Sequence, residues 1–137
     1  HLDSWPELLE NTSKDKWEPI FMKWQSNMRE VMYENNPIGY VFVSEKEDGS
    51  AHLGYGIYHL YRGQGLSIKL CKHYLEQVVP HLSENTKHFI GTTLVENTIS
   101  QKVLLSLGFI FYREFLDHYN GNKIIYYQYK KNIHYEV

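Results

Sequence analysis

Apolar and polar positions change period several times along this chain, and each change marks an element. Ser4 ahead of Trp5, Pro6 and Glu7 reads as the N-cap of a helix with Pro6 in its first turn. Near Pro19, the residues Ile20, Phe21, Trp24 and Met28 share a helical face from which Lys23 and Gln25 are absent, which predicts a second short helix. Residues 29–33 and 38–44 then read as strands around Glu34-Asn35-Asn36-Pro37, a turn by composition. Residues 45–50 form a second turn before a strand at 51–60, giving an antiparallel meander. From 67 to 79 the period becomes helical, with Ile68, Cys71, Leu75, Val78 and Leu82 in one apolar stripe. Residues 87–95 are rich in β-branched and apolar types, and Asn97 can N-cap a helix that Gly108 ends at C′. Residues 109–116 and 124–129 flank Asn120-Gly121, a strong hairpin signal. Strand, helix, strand between Ala51 and Val95 requires a right-handed crossover if both strands share a sheet, so the sheet is mixed.

The junction between the third strand and the long helix carries the first chemistry. It holds Arg62, Gly63, Gln64, Gly65, Leu66 and Ser67, a glycine-bearing turn running straight into a helix. The first turn of a helix offers unpaired N–H groups and the positive end of its dipole, and Gly63 and Gly65 lack the β-carbons that would hold a phosphate off the backbone. A dinucleotide fingerprint needs a third Gly or Ala where Ile68 stands, and a Walker loop needs a Gly-Lys-Ser/Thr tripeptide that does not occur. An ordinary strand-turn-helix corner uses glycine in the same way.

Arg62-x-x-Gly65-x-Ser67 resembles the Arg/Gln-x-x-Gly-x-Gly/Ala signature of the GNAT superfamily of acyl-CoA-dependent N-acetyltransferases, with Ser in place of the last small residue. Further on, Asn97-Thr98-Ile99-Ser100 followed by Leu107-Gly108-Phe109 is similar to the helix and strand start of the branch that contains ribosomal-protein N-terminal acetyltransferases. With the Tyr119-Asn120-Gly121-Asn122 hairpin, the resemblance covers residues 37–130. It implies an α/β (α+β) GNAT fold, with a mixed central sheet of six or seven strands, helices on both faces and a splayed central strand pair. That architecture begins with one more strand and helix than the pattern shows before Trp5. The expectation is therefore one domain, residues 1–137, lacking its N-terminal strand.

The resemblance also implies roles. Main-chain N–H groups of Arg62, Gly63, Gln64, Gly65, Leu66 and Ser67 hold the pyrophosphate of acetyl-CoA, strand backbone near Ile57 and Tyr58 pairs with the pantetheine amides, and Asn97 bonds the same arm while also serving as a helix cap. The implied reaction is transfer of acetyl to a primary amine, a peptide N-terminus or a small molecule, by direct attack in a ternary complex. The alternative is a non-catalytic acyl-CoA-binding domain. Deprotonating an alkyl amine of pKa about 10.4 at neutral pH costs about 4.6 kcal/mol, against about 1 for an α-amine near 7.8, so a base matters most for alkyl amines. Many members donate a proton to the leaving thiolate from a Tyr whose place is taken here by Leu104. The ribosomal-type branch instead offers a Ser matching Ser100 and an acidic residue matching Asp117. His52 stands on a strand where relatives often carry Glu, and a neutral imidazole accepts a proton at neutral pH. Each has a plainer role as well: Asp117 as a hairpin charge, Ser100 as a first-turn residue, and His52 in a cross-strand pair.

Composition narrows the setting. With 42% hydrophobic and 15% aromatic residues in 137, one sizeable core is expected. A net charge of −2 gives no case for nucleic acid or an anionic membrane surface as partner. No apolar run reaches membrane-spanning length and no leader pattern opens the chain, so the expected location is cytoplasmic. Cys71 is the only cysteine, which excludes an intrachain disulfide, and the 8 histidines show no metal-binding spacing, so no metal is expected. The acceptor amine is not legible, and both monomer and homodimer stay open.

Overall fold

The computed structural model describes residues 20–25, 28–33, 36–63 and 65–134; the helix expected at residues 4–9 lies outside them. The chain divides into two units, His1–Val43 with Gly54–Val78, and Ser44–Leu53 with Val79–Val137. Strands β3 (Asn36–Glu45) and β4 (Ser50–Ile57) each run from one into the other.

In the first unit, β1 (Ile20–Gln25) and β2 (Met28–Tyr33) form an antiparallel pair, and β2 pairs antiparallel with β3. β1 stands where the sequence predicts a short helix. Six residues with apolar Ile20, Phe21, Met22 and Trp24 fit either period, and Ile, Phe and Trp favour strand. The ladder from Ile20↔Met32 to Gln25↔Met28 then supplies hydrogen-bond partners that so short a helix lacks. Asn36 and Pro37, expected in a turn, are ladder residues opposite Tyr33 and Met32. Val31, Ile38, Val41 and Val43 are buried. β3 and β4 approach closely at Gly39, where a β-carbon would overlap the Gly56 carbonyl oxygen.

β4 stops at Ile57, short of the predicted end, because a 3₁₀ turn (His59–Tyr61) follows it. Helix α1 (Leu66–Val78) then buries Leu66, Leu70, Cys71, Tyr74 and Leu75. The buried stripe is rotated from the expected one. Ile68 is 36% exposed, and Leu82 lies beyond a 3₁₀ turn (Val79–His81) that contains Pro80. Tyr74 belongs to the buried face because its hydroxyl accepts a bond of 3.1 Å from the Val43 N–H, a polar use of an aromatic ring that apolar periodicity does not register.

In the second unit, the first half of β4 runs parallel to β5 (His88–Leu94), from Ser50↔His88 to Leu53↔Gly91. The parallel ladder stops there, although β5 continues beside β7 (Asn122–Asn132) as far as Leu94↔Tyr126. β6 (Ile110–Tyr119) completes the unit, antiparallel to β7 through a turn in which Asn120 and Gly121 both have positive φ, 50° and 78°. That is the geometry the Asn-Gly pair predicts. Pairing follows the order β1-β2-β3-β4-β5-β7-β6, a mixed sheet in an α+β chain.

Helix α2 (Thr98–Ser106) joins β5 to β6. Leu104, 2% exposed, packs against Gly91, where a β-carbon would lie 2.5 Å from Leu104 Cδ2. Side chains alternate along a strand, so α2 covers the face of β5 that carries Phe89, Gly91 and Thr93. Gly108 at φ 90° ends the helix as expected, with the Leu107 carbonyl taken by Lys131 Nζ at 2.5 Å.

Replacing Gly39 by Ala should destabilise the chain by about 1–3 kcal/mol, because main-chain atoms cannot yield as a side chain does. A lower urea midpoint at unchanged slope is the expected outcome; an unchanged midpoint contradicts the close approach.

Candidate functional site

The turn between β4 and α1 is built by its own residues. Gly63 and Gly65 have φ of 78° and 72°, a left-handed backbone that glycine adopts without strain. Among the described residues, a β-carbon at either would meet nothing within 4 Å, so the space above them is open to those residues. The Arg62 side chain closes the turn by donating Nε–H to the Ile57 carbonyl at 2.9 Å. α1 begins at Leu66, so the N–H groups of Leu66, Ser67 and Ile68 precede the first intrahelical bond. Among the described residues, the N–H groups of Gly63, Gly65, Leu66 and Ser67 have no hydrogen-bond acceptor. No acidic side chain occupies the first turn of α1 to compete for them. Leu66 anchors this end of the helix with its side chain in the core, while Gly63 and Gly65 are exposed and Ser67 half-buried. Gln64 lies outside the described residues. The Arg62 N–H turns back to the His59 carbonyl at 3.4 Å, which makes it the weakest donor of the set.

The end of β4 is less available than the sequence predicts. Tyr58 donates its N–H to the Ile38 carbonyl at 2.9 Å, and its own carbonyl accepts from Tyr61 N–H at 2.9 Å, so both its main-chain groups are used within the protein. Alternation along an antiparallel strand turns the N–H of Ile57 to the edge away from β3. The Tyr58 hydroxyl donates to Glu30 Oε2 at 2.8 Å, and burial followed by this bond raises its pKa to about 12. It is a poor proton donor for catalysis. Cys71 is fully buried and its thiol is pushed well above the ordinary range by burial, so it packs as a small hydrophobe rather than acting as a nucleophile.

The remaining candidates lie in the second unit. Asn97 is the N-cap of α2: its Oδ1 accepts from Ser100 N–H at 3.1 Å. Its side-chain NH₂ donates to no acceptor among the described residues and is exposed. Ser100 is half-buried and one helical turn before Leu104, hence on the sheet-facing side of α2. Asp117 is exposed near the end of β6, where its Oδ1 accepts from the His118 N–H at 2.7 Å.

Register decides which of these share a face. His52 pairs with Ile90, Thr92 with Gln128, Arg113 with Gln128 and Asp117 with Ile124, so His52 and Asp117 lie on the sheet face opposite α2 and Ser100. An irregularity between Phe111 and Arg113 sets this alternation on β6. Arg113 Nε donates to Gln128 Oε1 at 2.7 Å and Gln128 Nε2 to Thr92 Oγ1 at 3.2 Å across the same face. β4 and β6 are separated by two intervening strands, about 14 Å at the usual strand spacing, so His52 and Asp117 do not exchange a proton directly.

Two features escaped the sequence. Thr93, 6% exposed on the α2 side of β5 and beyond the end of the parallel ladder, has a buried Oγ1 with no hydrogen-bond partner among the described residues. Nothing in an alternating strand pattern separates such a hydroxyl from a satisfied one. The other is the environment of His52, whose Nε2 lies 3.1 Å from Ser50 Oγ. Burial, then Lys46, lowers the His52 pKa below its ordinary 6.5, against the opposing pull of Asp48; His88 and Arg113 add to the lowering. Among the described residues no group of three His, Cys, Asp or Glu is placed to hold a metal ion, and no helix is long and apolar enough to cross a membrane.

Free amides at a helix start and open space above two glycines fit a phosphate-bearing ligand. A family profile described as Acetyltransferase (GNAT) domain matches residues 4–110. Solved structures of the same fold include a RimL ribosomal L7/L12 alpha-N-protein acetyltransferase in complex with coenzyme A, at TM-score 0.66 and 18% identity over 77% of this chain and 61% of that one. The ribosomal-protein-S5-alanine acetyltransferase from Vibrio fischeri matches at TM-score 0.64 and 21% identity, over 77% and 60%. The microcin C7 self-immunity acetyltransferase MccE, in complex with acetyl-CoA and AMP, matches at TM-score 0.63 and 19% identity, over 77% and 60%. The chain thus spans about three-fifths of the length of these structures. No protein of curated function matches its sequence significantly.

Lowered histidine pKa values carry a sign. The His52 and His88 pKa values both lie below 6.5 in the folded chain, so on acidification the unfolded chain takes up these protons first. Their contribution is complete above pH 6.5 and is lost as pH falls through the folded values. The urea midpoint of the wild type should fall more steeply between about pH 7 and 5 than that of His52→Gln; parallel curves contradict the assignment.

Proposed function

The chain belongs to the GNAT acetyltransferase family, and from that membership we propose that it transfers an acetyl group from acetyl-CoA to a primary amine by direct attack in a ternary complex, in the cytoplasm. The observation that carries this is the row of unengaged N–H groups at Gly63, Gly65, Leu66 and Ser67, seated at the positive end of α1. These groups, with Gln64, hold the pyrophosphate, and Arg62 contributes mainly by bracing the turn through its bond to Ile57. The Ile57 N–H pairs with the pantetheine arm in preference to Tyr58, whose main-chain groups are engaged. The carboxamide NH₂ of Asn97 donates to the same arm while its oxygen keeps capping α2.

Bound acetyl-CoA supplies an acyl thioester, electrophilic enough for a neutral amine to attack. His52, held neutral at pH 7 by its surroundings, accepts the proton that makes the amine neutral. Ser100, one turn before the apolar Leu104 on the sheet-facing side of α2, stands in for the missing tyrosine. Asp117 is exposed and distant from His52 along the sheet, which suits recognition of a cationic amine better than proton transfer from it. The neighbours named above include a ribosomal L7/L12 alpha-N-protein acetyltransferase and a ribosomal-protein-S5-alanine acetyltransferase, which makes a peptide α-amine the first class to test. Such an amine also places the smallest demand on a base.

Incubation with acetyl-CoA and a mixed library of peptides and small amines, with products identified by mass, should yield a singly acetylated amine and free thiol in equal amounts. CoA binding without turnover on any amine contradicts catalysis. Gly65→Val should weaken CoA binding at least about 100-fold in calorimetry, since it strains a left-handed position and fills the open space above it; unchanged affinity contradicts the phosphate assignment.

A further inference from the structure

We infer that Asp48 and Ser50 are positioning residues that hold His52 as a single tautomer, with the proton on Nε2 and the lone pair on Nδ1. The inference rests on the proposed transfer reaction only for its catalytic consequence; the tautomer itself follows from hydrogen-bond counting. Ser50 Oγ lies 2.5 Å from Asp48 Oδ1, and Ser50 N–H donates to the same oxygen at 3.0 Å. Ionised Asp48 has no proton to give, and these two bonds hold its pKa below the ordinary carboxylate value. The single proton of the Ser50 hydroxyl is therefore directed at Asp48. What Ser50 Oγ turns toward His52 is a lone pair, and at 3.1 Å His52 Nε2 must be the donor. In the neutral ring Nδ1 then carries the lone pair, and no described residue donates to it.

The anchor for this chain of bonds is rigid. Ser50 is 2% exposed and opens β4. Its carbonyl accepts from Lys46 N–H at 2.8 Å, and the carbonyl of the preceding Gly49 accepts from Lys87 N–H at 2.8 Å. The groups facing His52 are Lys46 and Asp48 from the turn, His88 from β5 and Arg113 from β6. Three of these four oppose a positive imidazole, so Asp48 acts less by attracting charge than by fixing the hydroxyl. In the transfer reaction Nδ1 would take a proton from the ammonium form of the acceptor, and the imidazolium so formed would return it to solvent. A plain structural role for Asp48, closing the turn before β4, makes no demand on which imidazole nitrogen carries the proton.

Nitrogen-15 spectra of the His52 imidazole at neutral pH, on the intact chain, separate these roles. In the wild type the proton should reside on Nε2. Asp48→Ala, at an exposed turn position that leaves the core untouched, frees the Ser50 hydroxyl to donate to Nε2 and should shift the ring substantially toward the Nδ1–H form. Asp48→Asn keeps an acceptor oxygen and should restore the wild-type pattern. Turnover of Asp48→Ala should fall about 10- to 100-fold with the acetyl-CoA KM unchanged, and recover in Asp48→Asn. An Nδ1–H ring in the wild type, or the same spectrum in wild type and Asp48→Ala, overturns the inference. Absence of acetyl transfer by the wild type would instead remove the proposed function, with the spectra still deciding the tautomer.

Discussion

Backbone polar groups must find partners, and a helix start is where an unbranched chain cannot supply them. The first N–H groups of α1 precede any carbonyl of their own helix, and two left-handed glycines keep the space beside them clear. Everything proposed about the cosubstrate depends on that unmet demand. Had an acidic residue stood in the first turn of α1, or had a loop carbonyl folded over it, the same strand-turn-helix corner would be a structural joint and nothing more. Instead Arg62 spends its side chain on Ile57, bracing the turn from the strand side while its neighbours keep their donors.

The sequence reveals most where a local rule acts alone. The Asn-Gly turn of the β6–β7 hairpin, the Asn97 cap and the Gly108 stop were all legible because each rests on the conformational or hydrogen-bonding habit of one or two residues. It misleads where tertiary partners decide. Residues 20–25 fit a helical stripe on paper, yet they pair with β2, since a ladder satisfies more of their backbone than one helical turn. The buried face of α1 departs from the apolar stripe because Tyr74 turns inward to meet the Val43 amide, a preference absent from an apolar count. Pro37 in a ladder, opposite Met32, follows from a register irregularity between Val31 and Met32 that no composition signals.

The candidate site divides in the same way. Its phosphate-facing part is a main-chain feature announced by glycine spacing. Its catalytic part depends on register, which places His52 and Asp117 on one face of β4–β5–β7–β6 and Ser100 with α2 on the other. The pattern Asp48-x-Ser50-x-His52 was present in the sequence, and alternation alone puts Ser50 and His52 on one side of β4. What no pattern could supply was the 2.5 Å approach of Ser50 Oγ to Asp48, which fixes the direction of every proton in that row.

The central claim is that main-chain amides of the turn grip a diphosphate, and amide resonances report it directly. In a nitrogen-15 correlation spectrum, the signals of Gly63, Gly65, Leu66 and Ser67 should move downfield together as coenzyme A is added, and stay in place on addition of pantetheine, which shares the arm but lacks the diphosphate. Saturating coenzyme A that leaves these four signals unmoved would contradict the account.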